Sequence, residues 1–309
     1  MPGRLDIAWW LKRKRREAYQ RSLMARGWYD PHARSEADAI FIGGCGRSGT
    51  TLFKQLLNRH SRLACGPETS LYGLPFNPAN IGPYWDIPVR ELERRARAHR
   101  NLITFADEFY EEFLRVEGKK RWADKTPNNV RVVMKLLTWY PRGRFIHVIR
   151  DGRDTVCSLR HHPKEKVVNG RIVPVKVNNP IAKCAQRWVD DTSDGLALRS
   201  HPRCLEVRYE ELVAEPEQCV RRVCDFLGEP YEPAMLEPSA TPKSSARTAQ
   251  VLNNPNADNR ISPQSVGRWR KELSPDERRE FVSVAGELLI ALGYVTDHSW
   301  MHEPMEPGA

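Results

Sequence analysis

The chain has 309 residues, 40% hydrophobic and 9% aromatic, a composition that excludes a disordered or fibrous protein and supports a sizeable buried core. Its formal charge of +10, from 49 Lys and Arg against 39 Asp and Glu, favours anionic partners: a nucleotide, an acidic substrate, nucleic acid or an anionic membrane surface. Seven scattered cysteines (Cys45, Cys65, Cys157, Cys184, Cys204, Cys219, Cys224) form no C-x-x-C pair, which argues against a zinc site or disulfide framework, and no apolar run approaches the ~20 residues of a membrane span.

Residues 1–37 read as a basic helical extension. Trp9, Trp10 and Leu11 precede the run Lys12-Arg13-Lys14-Arg15-Arg16, and Tyr19, Leu23 and Trp28 follow it. Such a helix either lies on an anionic membrane surface or packs its aromatic side on the domain; packing is the expectation. The apolar stretch before the basic run is short and its charges come after it, unlike a secretory signal, so a cytoplasmic location is expected.

From Ala39 the pattern changes. Ala39-Ile40-Phe41-Ile42 reads as a buried strand that ends in Gly43-Gly44, and Leu52, Phe53, Leu56 and Leu57 then recur at helical spacing. A second strand is predicted over 121–123, running into Asp124-Lys125-Thr126-Pro127, with a helix over 130–139 stopped by Pro141 and Gly143. Phe145-Ile146-His147-Val148-Ile149 is a strand apolar on both faces. It leads to Asp151-Gly152-Arg153-Asp154, where Asp151 caps a helix and Arg153 and Asp154 read as a surface ion pair. A helix over 182–198, a strand over 204–209 and helices over 217–227 and 275–292 complete the pattern, with Trp122, Trp139, Trp188 and His147 read as core residues. The stretches 163–180 and 230–263, rich in Pro, Asn and Ser, read as long surface loops. Strands alternating with helices predict an α/β fold: a central parallel sheet flanked by helices on both faces, binding its ligand at the carboxyl ends of the strands. Four polar clusters fall there: 44–51, 124–127, 150–158 and Tyr209.

Gly43-Gly44-Cys45-Gly46-Arg47-Ser48-Gly49-Thr50-Thr51-Leu52 lies between a predicted strand and helix, as a phosphate-binding loop does. A P-loop kinase or nucleoside triphosphatase needs G-x-x-x-x-G-K-[ST], and Thr50 stands where that lysine belongs. A dinucleotide enzyme needs G-x-G-x-x-G, which Gly44, Gly46 and Gly49 satisfy. Its acid, about 20 residues on, would be Glu68, but Cys65-Gly66-Pro67-Glu68 reads as a turn with no clear strand before it. A basic nucleic-acid-binding protein is the non-enzymatic alternative, without a recognisable helix-turn-helix, finger or aromatic RNA motif.

Six segments in order over residues 39–295 resemble the sulfotransferase family, most closely its tyrosylprotein and bacterial branch. Arg47-Ser48-Gly49-Thr50-Thr51-Leu52 resembles the 5′-phosphosulfate loop, and Ile149-Arg150-Asp151-Gly152-Arg153 with Ser158 the 3′-phosphate segment. Cys65-Gly66-Pro67-Glu68-Thr69, Asp124-Lys125-Thr126-Pro127, Val207-Arg208-Tyr209-Glu210-Glu211-Leu212 and Gly267-Arg268-Trp269 resemble the other landmarks. The resemblance implies a P-loop-NTPase-like sulfotransferase fold over 38–296, followed by a tail over 297–309. It further implies transfer of a sulfuryl group from 3′-phosphoadenosine 5′-phosphosulfate (PAPS) to a hydroxyl or amine, with 3′-phosphoadenosine 5′-phosphate (PAP) as product and no metal. Glu68 would be the base, and Arg47 and Lys125 the electrostatic stabilisers. Arg47, Ser48, Gly49, Thr50, Thr51, Leu52, Arg150, Ser158, Tyr209 and Arg268 would bind the nucleotide. In the tyrosylprotein branch a hydroxyl residue of the preceding loop often contributes to catalysis; here that loop is 243–254, and none of Ser244, Ser245 and Asn253 aligns with it. The acceptor would be a small molecule, lipid, carbohydrate or peptide, with no nucleic acid. Peripheral membrane contact through 1–37 and a homodimer are both compatible with this reading. In the tyrosylprotein branch the glutamate segment continues into an arginine that grips acidic peptides; here Ser70 follows Thr69.

Overall fold

The structure is a computed structural model and describes residues 7–73, 75–168, 171–237, 261 and 263–306. Its strands are β1 (Ile40–Gly43), β2 (Leu63–Cys65), β3 (Arg121–Lys125), β4 (Arg144–Ile149), β5 (Lys164–Val168), β6 (Arg171–Val175) and β7 (Cys204–Arg208). Five of them form one sheet in the order β2-β3-β1-β4-β7, every neighbouring pair parallel. Ile42 pairs with Lys125 on one side and Ile146 on the other, so the central strands deliver their carboxyl ends to a common edge.

Side chains of successive strand residues point to opposite faces. Phe41, Trp122 and Phe145 therefore join one aromatic core, while Ile40, Ile42, Ala123, Ile146 and Val148 join another. The helices, in chain order, are α1 (Ile7–Ala25), α2 (Thr50–Arg59), α3 (Pro78–Trp85), α4 (Val89–Ala98), α5 (Leu102–Glu117), α6 (Val133–Trp139), α7 (Gly152–Arg160) and α8 (Ile181–Leu196). They continue with α9 (Tyr209–Ala214), α10 (Pro216–Leu227), α11 (Trp269–Glu272) and α12 (Pro275–Ala291). Helices α2 and α10 cover the isoleucine face through Phe53, Leu56, Leu57, Val220 and Val223. Helices α5 and α6 cover the aromatic face through Phe105, Tyr110, Val133 and Leu136. A third cluster centres on Trp188, where α7, α8 and α12 meet with Trp269, Phe281 and Trp300.

The predicted parallel sheet with helices on both faces is present, and several expectations need correction. A strand, β2, does precede the Cys65-Gly66 turn; its three residues are too few to show a period. The stretch read as a loop over 163–180 contains the antiparallel hairpin β5–β6, whose valines the surrounding Pro and Asn obscured. Helix α6 begins three residues late because Pro127 opens a 3-10 turn over Pro127–Val132. Arg153 and Asp154 are buried, and Arg153 pairs with Asp151 at 2.7 Å, so they are no surface pair. In the N-terminal segment Leu23 and Trp28 are buried, Trp28 against Phe76 and Phe105, which is the packing expected of them, while Trp10 is exposed. Trp122, Trp139, Trp188 and His147 are all buried.

Candidate active site

The loop after β1 turns by two devices. Gly44 has φ +149°, and a Cβ there would lie 2.2 Å from the Val148 carbonyl oxygen, so only glycine lets the loop cross the end of β4. Gly49 has φ +92°, and a Cβ there would lie 2.3 Å from Cδ2 of Tyr209. The loop thus rests directly on the Tyr209 ring at the start of α9. Helix α2 begins at Thr50, and its first turn holds Thr50, Thr51 and Leu52; Thr50 is buried, Thr51 and Leu52 half-buried. No metal-holding group of His, Cys, Asp and Glu occurs among the described residues.

Arg47 links the two segments read as binding opposite ends of one nucleotide. Its Nε donates to Ser158 Oγ at 3.0 Å, and its carbonyl oxygen accepts from Arg150 Nη1 at 3.1 Å. The Arg150 guanidinium lies 4.6 Å from the Tyr209 ring centroid and donates through Nη2 to the Ser265 carbonyl. Two buried polar atoms here, Ser48 Oγ and Arg150 Nε, have no hydrogen-bond partner among the described residues. Buried polar groups are normally paired, so both are groups that a ligand would satisfy. Burial, with Arg150 and Arg268 close by, pulls Arg47's pKa below the ordinary guanidinium value. Arg268 is paired with Glu272 at 2.8 and 3.0 Å.

Glu68 and Lys125 meet at the other end of the loop. Lys125 Nζ donates to Glu68 Oε1; Lys125 is 1% exposed and the Glu68 side chain 42%, so the pair has a buried cation and an accessible carboxylate. Its frame comes from the neighbouring residues. Lys125 and Asp124 leave β3 on opposite faces, and buried Asp124 accepts from Thr69 Oγ1 and from the Tyr110 hydroxyl, both at 2.5 Å, and from Asn129 Nδ2 at 3.0 Å. Thr126 Oγ1 accepts the Thr69 and Ser70 amides at 3.3 Å, and Ser70 has φ +51°. The Asp-Lys-Thr and Glu-Thr segments are therefore one unit: Asp124 and Thr126 fix Thr69, and Thr69 places Glu68 beside Lys125.

Sequence reasoning missed several residues here. Lys54, one turn into α2, lies near Lys125 and Glu68, and its pKa falls to about 8, mainly through burial. His162, beyond the end of α7, is lowered to about 4, first by burial and then by Arg47 and Arg187. A Cβ on Gly46 would sit 3.0 Å from Arg187 Nη2, and Arg187 and Arg131 share the buried Asp191, at 3.4 and 2.6 Å. Spacing from Thr50 could have flagged Lys54 as one turn into the helix; nothing local could have flagged His162 or Arg187, which arrive from distant segments. Ser244, Ser245 and Asn253 lie outside the described residues.

The family model described as “Sulfotransferase family” matches residues 39–233. The nodulation protein NoeE of Sinorhizobium fredii is 30% identical over 280 residues, 82% of this chain and 65% of that protein. A protein-tyrosine sulfotransferase of Drosophila melanogaster is 25% identical over 275 residues, 84% of this chain, which spans about half (52%) of the fly protein's length. Protein-tyrosine sulfotransferase 1 of Danio rerio is 26% identical over 266 residues, covering 82% of this chain and 72% of that one. Among solved structures, the sulfotransferase domain of the Synechococcus PCC 7002 olefin synthase superposes with a TM-score of 0.59 at 19% identity, over 83% of this chain and 96% of the other.

Proposed function

This chain belongs to the sulfotransferase family, and from that premise we propose that it moves the sulfuryl group of PAPS to the hydroxyl (or amine) of an acceptor. One observation carries the reading: Arg47 is hydrogen-bonded to Ser158 and, through its carbonyl, to Arg150, so the loop for a 5′-phosphosulfate and the fork for a 3′-phosphate form one continuous cationic surface. Ser48 Oγ and Arg150 Nε, buried without partners among the described residues, support a ligand rich in acceptor oxygens.

The residues divide the work by chemistry. Ser48, Gly49, Thr50, Thr51 and Leu52 cradle the 5′ end through backbone N–H groups and hydroxyls at the start of α2, where the helix adds positive potential. Arg150 and Ser158 take the 3′-phosphate, Tyr209 stands near the adenine, and Arg268 approaches from the C-terminal segment. In the reaction the acceptor oxygen forms a bond to sulfur while the bond from sulfur to the 5′-phosphate oxygen breaks. The acceptor proton passes to Glu68, and PAP leaves with the electron pair. Transfer of this loose, in-line kind depends on positioning and charge. Lys125 and Arg47 supply the charge, on the sulfuryl and bridging oxygens. The contact with Lys125 holds the Glu68 side chain in place before the acceptor enters.

The relatives named for protein-tyrosine sulfation support including peptide hydroxyls among the acceptors to try, beside small molecules, lipids and carbohydrates. All seven cysteines are free thiols, which supports a reducing, cytoplasmic compartment. Among the described residues no helix is long and apolar enough to cross a membrane. The test is transfer of labelled sulfate from PAPS to a panel of such acceptors in the presence of a chelator. Labelled product with stoichiometric PAP is expected. Magnesium-dependent ATP turnover without sulfuryl transfer would overturn the reading in favour of a P-loop kinase.

A further inference from the structure

Asp154 stands in the first turn of α7 and is fully buried. Its Oδ2 accepts the Gly267 N–H at 2.8 Å and its Oδ1 the Trp269 N–H at 3.1 Å. The same carboxylate lies 3.9 Å from Arg150 Nη2, and that nitrogen also donates to the Ser265 carbonyl. Arg150 and Asp154, one helical turn apart in sequence, thus tie down residues 265, 267 and 269 of a segment more than a hundred residues away. Arg153 is otherwise engaged: it pairs with Asp151 and stacks between Trp269 and Trp300, 4.1 and 4.7 Å from their centroids. Arg268 sits between the two anchored amides.

We propose that Asp154 is a positioning residue for the 3′-phosphate: it pins the 265–269 turn and orients Arg150, so that Arg150 and Arg268 are assembled before the phosphate arrives. The inference rests on the nucleotide reading above. Asp154 does not touch the nucleotide, since a carboxylate beside a phosphate dianion repels it. It acts through Arg150, whose charge it partly balances, and through the turn. Binding of the 3′-phosphate is thereby coupled to the docking of the C-terminal segment, while among the described residues Asp154 has no hydrogen bond with the 47–52 loop.

Asp154→Asn tests this, because an amide offers one acceptor oxygen where two N–H groups need one each, and it removes the counter-charge of Arg150. Affinity for PAP should fall about tenfold or more, as for loss of one charge-assisted hydrogen bond. Affinity for AMP, which lacks the 3′-phosphate, should change less than twofold. With PAPS as donor, KM should rise and kcat at saturation should be kept. Equal weakening of PAP and AMP, or tighter PAP binding, overturns the proposal. A wild-type protein that binds PAP no more tightly than AMP removes the nucleotide reading itself, and the proposal with it. Should the variant fail to fold, hydrogen exchange on the wild type decides: the Gly267 and Trp269 amides should gain protection with PAP and not with AMP, and equal gain with both counts against Asp154.

Discussion

At the scale of residues, the proposed base stands apart from the proposed 3′-phosphate fork. Glu68 contacts Lys125 and none of the residues assigned to the nucleotide's 3′ end, so Glu68→Gln should leave PAP affinity unchanged and lower turnover by a factor of about 10² to 10⁴, the usual worth of a general base. Calorimetric PAP binding alongside labelled-sulfate turnover checks it, and a fully active variant would remove Glu68 as the base. What sequence could say about single residues depended on how local their partners are. Arg47, Arg150, Lys125 and Tyr209, all proposed site residues, each end a strand or follow one closely. Asp154 was misread because its partners, the Gly267 and Trp269 amides, lie far along the chain, and an Arg-Asp dipeptide in isolation looks like a solvated ion pair.

Among elements, the short edge strand β2 and the hub on β3 decide where the Glu68–Lys125 pair sits. Asp124 is buried and takes three side-chain donors, from Thr69, Tyr110 and Asn129. Asp124→Ala would strand all three, and the unfolding free energy should drop by about 3 kcal/mol or more. Activity should fall further than stability accounts for, because Thr69 no longer holds Glu68. Urea denaturation with a parallel turnover assay tests both; a stable variant with normal turnover would show that the hub does not position the base. The central strands were legible because Ala39-Ile40-Phe41-Ile42 runs straight into Gly43-Gly44, and the largely apolar run from Phe145 to Ile149 ends at Arg150-Asp151-Gly152. Strand β2 was not, since its pairing with β3 is set by tertiary contact and no pattern fits in three residues. The hairpin β5–β6 was hidden in the same way, its register fixed across strands and not along them.

For the whole molecule, the parallel sheet and its ligand edge could be read from the alternation of strands and helices, but the packing of distant segments could not. His147 shows one consequence. It is buried against Gly195 of α8, where a Cβ would come within 2.2 Å of its ring, and burial lowers its pKa to about 4. The unfolded chain takes a proton near pH 6.5 and the folded one does not. Stability is therefore intact above that pH and is lost as pH falls toward 4, by about 1.4 kcal/mol per pH unit in that window. The difference in unfolding free energy between wild type and His147→Asn should shrink over the same window; a constant difference would contradict a neutral buried ring. In the proposed function Arg47 and Arg150 serve two ends of one nucleotide. Comparing the dissociation constants of PAP and AMP by calorimetry measures this most directly. PAP should bind at least about tenfold more tightly, the worth of one guanidinium–phosphate contact, and Arg150→Ala should erase the gap. Equal affinities in the wild type, or a gap that survives without Arg150, would contradict it.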